Sequence, residues 1–293
     1  MPKLHGSMVA IVTPFADGQI DYDALAGLIE FQISGGTQGI VPCGTTGESP
    51  TLSHVEHGDV VEFVVKQTAG RVPVIAGTGS NSTDEAVRLT QRAKDVGADA
   101  CLIVNPYYNK PTQQGMFEHI QRLGEIELPI VLYNIPGRTS IELTPATVIR
   151  MYNEIEMVIA IKEATGKLDI ASEIASACDI TILSGDDSLT LPLASVGAVG
   201  VISVLANILP GEVRKFCDAI ASDDLPTARE LHLKLFKLFK GMFVETNPIP
   251  IKAALAMAGM IRNELRLPMS PLSDEYRDEL ARLLQGFGVE LQA

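Results

Sequence analysis

PIVLYNIPGRTSIELTPATVIRMYNEIEMVIAIKEA, residues 129–164, holds one full period of the pattern that decides the fold. It begins with an apolar, β-branched run, Pro129–Pro136, and ends in another, Ile159–Ala164. Each run is too short for a core helix and too continuously apolar for a half-exposed strand. Strands buried on both faces of a parallel sheet read this way. Between the runs, Thr144-Pro145 offers an N-cap followed by proline at the first helical position.

The same kind of run recurs on either side, at Met8–Thr13, Gly39–Gly44, Pro73–Gly79, Ala100–Pro106, Thr181–Asp187 and Gly200–Ala206, for about eight in all. Helical patterns separate them. Asp21 precedes Leu25, Leu28, Ile29 and Ile33, with a stop at Gly35-Gly36. Ser53 with Glu56, and Ser82 with Glu85, have capping-box spacing, and Gly97 ends the second of these helices. Pro210 opens a helix after the last run. Eight strand–helix repeats predict an α/β fold, a (β/α)8 barrel over residues 1–224. Residues 225–293 lack strand patterns and predict a C-terminal helical domain, with helices at Leu225–Phe243, Ile249–Met260 and Ser273–Gln285. A doubly wound open sheet is the main alternative, although no GxGxxG follows the first strand.

Composition narrows the function. The 293 residues include 36 acidic and 23 basic side chains, a net charge of −13, with no basic stripe for nucleic acid or for an anionic membrane surface. A chain of this length can bury a large core without disulfides or structural metal. Cys43, Cys101, Cys178 and Cys217 form no CxxC or zinc spacing, which fits a reducing cytoplasm. The start, MPKLHGSMVA, has no apolar core of a signal peptide, and no run approaches the ~18 apolar residues of a membrane span.

Barrel enzymes build their sites at the C-terminal ends of the strands. There the sequence places Thr13, Gly44-Thr45-Thr46-Gly47-Glu48, Asn105, Tyr107-Tyr108, Tyr133-Asn134, Arg138, Lys162-Glu163 and Ser184-Gly185-Asp186-Asp187. Lys162 stands out, because the other ten lysines fall in helices, loops or the N-terminus. Desolvation on a buried strand favours a neutral amine, the form that attacks a ketone. The competing reading is a lysine that snorkels to a phosphate or to Glu163. Tyr133, Tyr108 and the Thr45 hydroxyl could relay protons. The 44–47 turn brings free N–H groups to an anion, more plausibly a carboxylate than a triphosphate. Arg138 could clamp a second carboxylate. His54 and His57 lie three apart without a matching carboxylate, so no metal is expected, and no GxSxG occurs.

Taken together, GTTGES (44–49), PVIAGTGSN (73–81), PYYNKP (106–111), LYNIPGRT (132–139), IKEATG (161–166), SGDD (184–187) and NPIP (247–250) resemble the dihydrodipicolinate synthase family of pyruvate-dependent class I aldolases, in order and over nearly the whole chain. The resemblance implies a homotetramer, a dimer of dimers, with no cofactor. It implies that Lys162 forms an imine with pyruvate and that the resulting enamine attacks L-aspartate 4-semialdehyde, in the diaminopimelate route to lysine. Tyr133, Thr45 and Tyr108 would relay protons, with Tyr108 reaching in from a neighbouring subunit. Thr46, Gly185 and Ile202 would line the pyruvate site, and Arg138 would hold the semialdehyde carboxylate. His54, His57, Asn81, Glu85 and Tyr107 match positions that bind inhibitory L-lysine in some members, with Pro50 a local variation beside them. Departures occur at VPCG (41–44), Asn105 and Leu205. Sister aldolases acting on N-acetylneuraminate or keto-deoxy-sugar acids are the nearest alternative, but they typically lack the arginine. A non-catalytic keto-acid sensor is a second, with no need for an imine-forming lysine.

Overall fold

Eight parallel strands close on themselves. They are β1 (Gly6–Ala10), β2 (Gly39–Val41), β3 (Ile75–Gly77), β4 (Ala100–Val104), β5 (Ile130–Asn134), β6 (Val158–Glu163), β7 (Thr181–Ser184) and β8 (Gly200–Ser203). The computed structural model describes residues 1–292. The ladder runs β2-β1-β8-β7-β6-β5-β4-β3. The remaining gap is closed by a parallel bridge between Ile40 and Val74. Ile40 N donates to Pro73 O at 3.0 Å, and Gly77 N to Pro42 O at 2.9 Å. A Cβ on Gly77 would meet the Cys43 carbonyl oxygen at 2.3 Å, so only glycine lets the chains approach here. Closure leaves no unpaired sheet edge and excludes the open doubly wound sheet.

Period-two alternation separates two buried layers. Met8, Ala10, Val41, Ile75, Ala100, Leu102, Val131, Ala160, Leu183 and Ile202 fill the barrel interior. Their neighbours Val9, Ile40, Cys101, Ile103, Ile130, Leu132, Ile161, Ile182 and Val201 face the helices. Nearly every strand residue is therefore sandwiched, which explains the continuous apolar runs in the sequence. Each fully buried aliphatic side chain contributes roughly 1.5–3 kcal/mol.

The helices return between strands as α1 (Tyr22–Ser34), α2 (His54–Thr68), α3 (Thr83–Asp95), α4 (Gln113–Gly124), α5 (Pro145–Glu154), α6 (Leu168–Ala175), the short α7 (Thr190–Ala194) and α8 (Pro210–Ala221). Asp21 caps α1 through Ala24 N, Thr144 caps α5 through Thr147 N, and Ser53 with Glu56 forms a complete capping box. The second expected box does not form. Ser82 makes no side-chain cap on α3, and its N–H donates to Ser80 Oγ instead. The Ser80 hydroxyl in turn donates to Glu85, which is thereby drawn away from the cap.

After α8 come α9 (Leu225–Gly241), α10 (Ile249–Met257) and α11 (Asp274–Gln285). Two expected ends are corrected. The first helix stops at Gly241 rather than Phe243. The second stops at Met257 rather than Met260, because Gly259 turns into the left-handed region at φ 69°. A two-residue hairpin, Phe15–Ala16 with Gln19–Ile20, turns on Asp17-Gly18, both at positive φ. Glu264 accepts both turn N–H groups, at 3.0 and 2.7 Å, which anchors the C-terminal segment near the end of β1.

Candidate active site

Tyr133 and Lys162 stand opposite one another in the β5–β6 register. Alternation sends both side chains into the barrel, and Asn134 and Glu163 outward. Lys162 is 6% exposed. Its Nζ lies 4.2 Å from the centroid of the Tyr133 ring, a cation–π arrangement. Among the described residues no carboxylate comes within ion-pair distance of it. Glu163 is occupied on the other face, where Oε1 accepts from Thr165 N at 2.6 Å. Burial raises the Glu163 carboxyl above its ordinary range, and the bonds from Thr165 and Asn134 only partly oppose this. The snorkelling alternative, a lysine paired with Glu163, is therefore not what the chain builds.

The pocket around Lys162 is lined by Ala10, Val41 and Leu102 from the strands, and by Thr45, Thr46, Tyr133, Arg138, Gly185 and Val204 from their C-terminal ends. Phe243 and Asn247 from the C-terminal region complete it. Gly185 makes room for the lysine, because a Cβ there would sit 2.7 Å from Ala164 Cβ and 3.1 Å from Lys162 Cγ and Cε. A wider groove shares Gly44, Thr45, Leu102, Tyr133 and Arg138 with this pocket and continues past Ser49, Pro50 and Tyr107. A small molecule held at Lys162 thus has a path outward beside Arg138.

The 44–47 turn is tightly wound. Gly47 N donates to Gly44 O and Glu48 N to Thr45 O, both at 3.1 Å. Thr13 Oγ1 donates to Gly47 O at 2.7 Å. The N–H groups of Thr45 and Thr46 make no backbone hydrogen bond among the described residues. Thr46 Oγ1 accepts from Asn247 Nδ2 at 3.0 Å. Arg138 Nη2 donates to the Asn247 carbonyl at 3.2 Å. One asparagine therefore fixes both candidate carboxylate-binding elements.

The residues predicted for catalysis and substrate binding divide into three groups. Lys162, Tyr133, Thr45, Thr46, Arg138 and Gly185 converge on the pocket. Ile202 pairs with Met8 in the interior layer below Ala10, and Val204 takes its place in the pocket wall. Tyr108 is 89% exposed at φ 74° and lines neither cavity of this chain.

Of the six residues assigned to lysine binding, Pro50 and Tyr107 edge the outer groove. His54 Nε2 pairs with Glu85 Oε1 at 3.1 Å across α2 and α3. The Asn81 carbonyl accepts from Asn109 Nδ2. His57 does not share a surface with His54. It is buried, its Nε2 lies 2.8 Å from the Gly77 carbonyl, and burial lowers its pKa.

Asn247, Phe243, Val204 and Lys252 were not singled out as site residues by sequence. Lys252 had a usable signal, a lone charge within IPIKAALAM (249–257), an otherwise apolar helix. Asn247 had none beyond its motif, because nothing local shows which strand end it would reach.

Known proteins resemble this chain over nearly its whole length. The profile of the dihydrodipicolinate synthetase family matches residues 3–286. A 4-hydroxy-tetrahydrodipicolinate synthase of Pelobacter propionicus is 50% identical over 287 residues, covering 97% of this chain and 99% of its own. The crystal structure of dihydrodipicolinate synthase from Acinetobacter baumannii complexed with pyruvate superposes with a TM-score of 0.95 at 43% identity, covering 98% of this chain and 100% of that one. The corresponding structure from Cyanidioschyzon merolae with lysine bound superposes with a TM-score of 0.94 at 37% identity, covering 98% and 99%.

Proposed function

The chain belongs to the dihydrodipicolinate synthetase family, and on that premise we propose how its residues condense pyruvate with L-aspartate 4-semialdehyde to 4-hydroxy-tetrahydrodipicolinate. The observation that carries the reading is Lys162: buried, unpaired with any carboxylate among the described residues, and facing the Tyr133 ring in the pocket. Its amine attacks the keto carbon of pyruvate, and loss of water leaves an imine. Removal of a methyl proton gives the enamine, whose terminal carbon bonds to the aldehyde carbon of the semialdehyde. The semialdehyde amine then displaces Lys162 from the imine carbon and closes the ring.

Each proton in this sequence needs a carrier. Tyr133 and Thr45, which line the same pocket, take that role, and Tyr108 of a neighbouring copy completes the relay. The exposure of Tyr108 in one chain supports this assignment, and the copy that donates it belongs to a dimer-of-dimers tetramer. The Thr45 and Thr46 N–H groups and the Thr46 hydroxyl receive the pyruvate carboxylate, beside Gly185 and above Ile202. Residues 1–224 form the catalytic barrel, and 225–293 a helical unit that supplies Asn247. No described helix is long and apolar enough to cross a membrane, and we place the reaction in the cytoplasm, in the diaminopimelate route to lysine. Initial rates with pyruvate and aspartate semialdehyde, run against cleavage of N-acetylneuraminate, test the function. Turnover of the neuraminate alone would assign a sister aldolase, and turnover of neither a sensor.

Arg138 at the pocket mouth holds the semialdehyde carboxylate. Arg138→Ala should lower kcat/KM for the semialdehyde by roughly 10–100-fold, the value of a charge-assisted hydrogen bond. Borohydride trapping of the pyruvate imine should continue at the wild-type rate. Unchanged semialdehyde kinetics would remove Arg138 from this role.

L-lysine inhibits from a separate interface site near Pro50, His54, His57, Asn81, Glu85 and Tyr107. The lysine-bound relative supports this reading, and so does the groove that joins Pro50 and Tyr107 to the active pocket. Glu85 would exchange its pairing with His54 for the lysine ammonium. Glu85→Ala should raise the half-inhibitory lysine concentration by about 10-fold or more in initial-rate assays. A wild type indifferent to millimolar lysine would refute the site.

A further inference from the structure

We propose that the buried ion pair between Glu48 and Lys252 is a positioning device that sets the Thr45–Thr46 turn for the pyruvate carboxylate. The inference rests on the reading that this turn holds that carboxylate. Neither residue lines the pocket, so neither is catalytic. Lys252 is fully buried and Glu48 nearly so, and Nζ lies 2.5 Å from Glu48 Oε1. The two are 204 residues apart in the chain.

The connections of this pair converge on one turn. Glu48 N donates to the Thr45 carbonyl. Glu48 itself sits at φ 52°, a left-handed conformation that a residue with a Cβ keeps only when its surroundings hold it. Two groups do so: Lys252 on Oε1, and Arg266 N on Oε2 at 3.0 Å. Lys252 also donates to the Thr13 carbonyl at 3.0 Å, and the Thr13 hydroxyl holds Gly47 O at 2.7 Å. One Nζ thereby ties Gly47, through Thr13, and Glu48 to the same point, which fixes the C-terminal side of the turn. Its face toward Phe15, 4.3 Å from the ring centroid, keeps it out of water.

An ion pair this deep is weak evidence for stability, since a well-packed apolar pair of similar volume commonly does as well. What an apolar pair cannot do is accept Arg266 N, donate to Thr13 O and hold Glu48 left-handed. Geometry rather than stability is therefore the function the pair suits. Asn247, five residues before Lys252, holds Thr46 Oγ1, so the approach to α10 and its first turn grip the carboxylate turn at two points.

The test uses Lys252→Met and the double variant Lys252→Met/Glu48→Leu, whose apolar pair needs no charged partner. KM for each substrate and the rate of borohydride trapping of pyruvate on Lys162 are measured beside the melting temperature. KM for pyruvate should rise about 10–100-fold, as displacement of a binding group by an ångström can cost. Trapping at subsaturating pyruvate should slow to match, and KM for the semialdehyde should stay within about two-fold. A folded variant with wild-type pyruvate KM, or with both KM values raised equally, overturns the inference. Failure of both variants to fold also overturns it, because the pair would then be a stability element. If the wild type itself traps no pyruvate, the functional reading fails instead.

Discussion

Lys162→Ala will carry no borohydride-reducible pyruvate adduct, and its turnover will fall on the order of 10⁴-fold or more, because the covalent path is removed and not merely slowed. The physical case is specific to this lysine. It occupies an inward position of β6, and Gly185 leaves open the space its methylenes need. Lys252 is more deeply buried, but its Nζ is taken up by Glu48 Oε1 at 2.5 Å and by the Thr13 carbonyl at 3.0 Å; burial lowers its pKa, and Glu48 works against that. It also lines neither cavity of the site, so a ketone bound in the pocket reaches Lys162 and not Lys252. Mass spectrometry of the trapped wild-type protein should therefore place the adduct on the peptide containing Lys162 and leave that containing Lys252 unmodified. An adduct on Lys252, or full activity in Lys162→Ala, would end the mechanism.

Tyr133→Phe should lower kcat by about 10²–10⁴-fold, the range of a positioned general acid–base group, while the protein stays folded. Phenylalanine keeps the ring against which Lys162 Nζ rests at 4.2 Å, so the lysine keeps its place and only the hydroxyl is lost. Trapped imine should still form, more slowly, since protons must then move through water or Thr45. A kcat within a few-fold of wild type would reduce Tyr133 to a packing residue. Tyr133→Leu separates the two roles, because it removes the ring as well and should lower the trapping rate further.

The strands and the lysine were legible because their signals are local. Burial on both faces makes a barrel strand apolar throughout, so a charge within Val158–Glu163 is conspicuous without any knowledge of its neighbours. The caps at Asp21, Ser53 and Thr144 could be read for the same reason, since each closes a bond within three residues. Ser82 shows where that logic stops. Its spacing to Glu85 is right, but Ser80 and His54 compete for the same carboxylate, and His54 comes from another helix.

The eight strand–helix repeats, the position of Lys162 and Tyr133 on adjacent strands, and the glycines beside them can all be read from residue order alone. Periods of two and 3.6 residues are written into nearest-neighbour order. Three further features arise from packing. The ring closes through Ile40 and Val74, His57 turns inward onto Gly77, and Asn247 and Lys252 reach back some 200 residues to grip Thr46 and Glu48. Each depends on which face of one element meets which face of another. That choice is made by packing and by the demand that buried polar groups find partners, and a local pattern carries no record of a partner so distant in the chain.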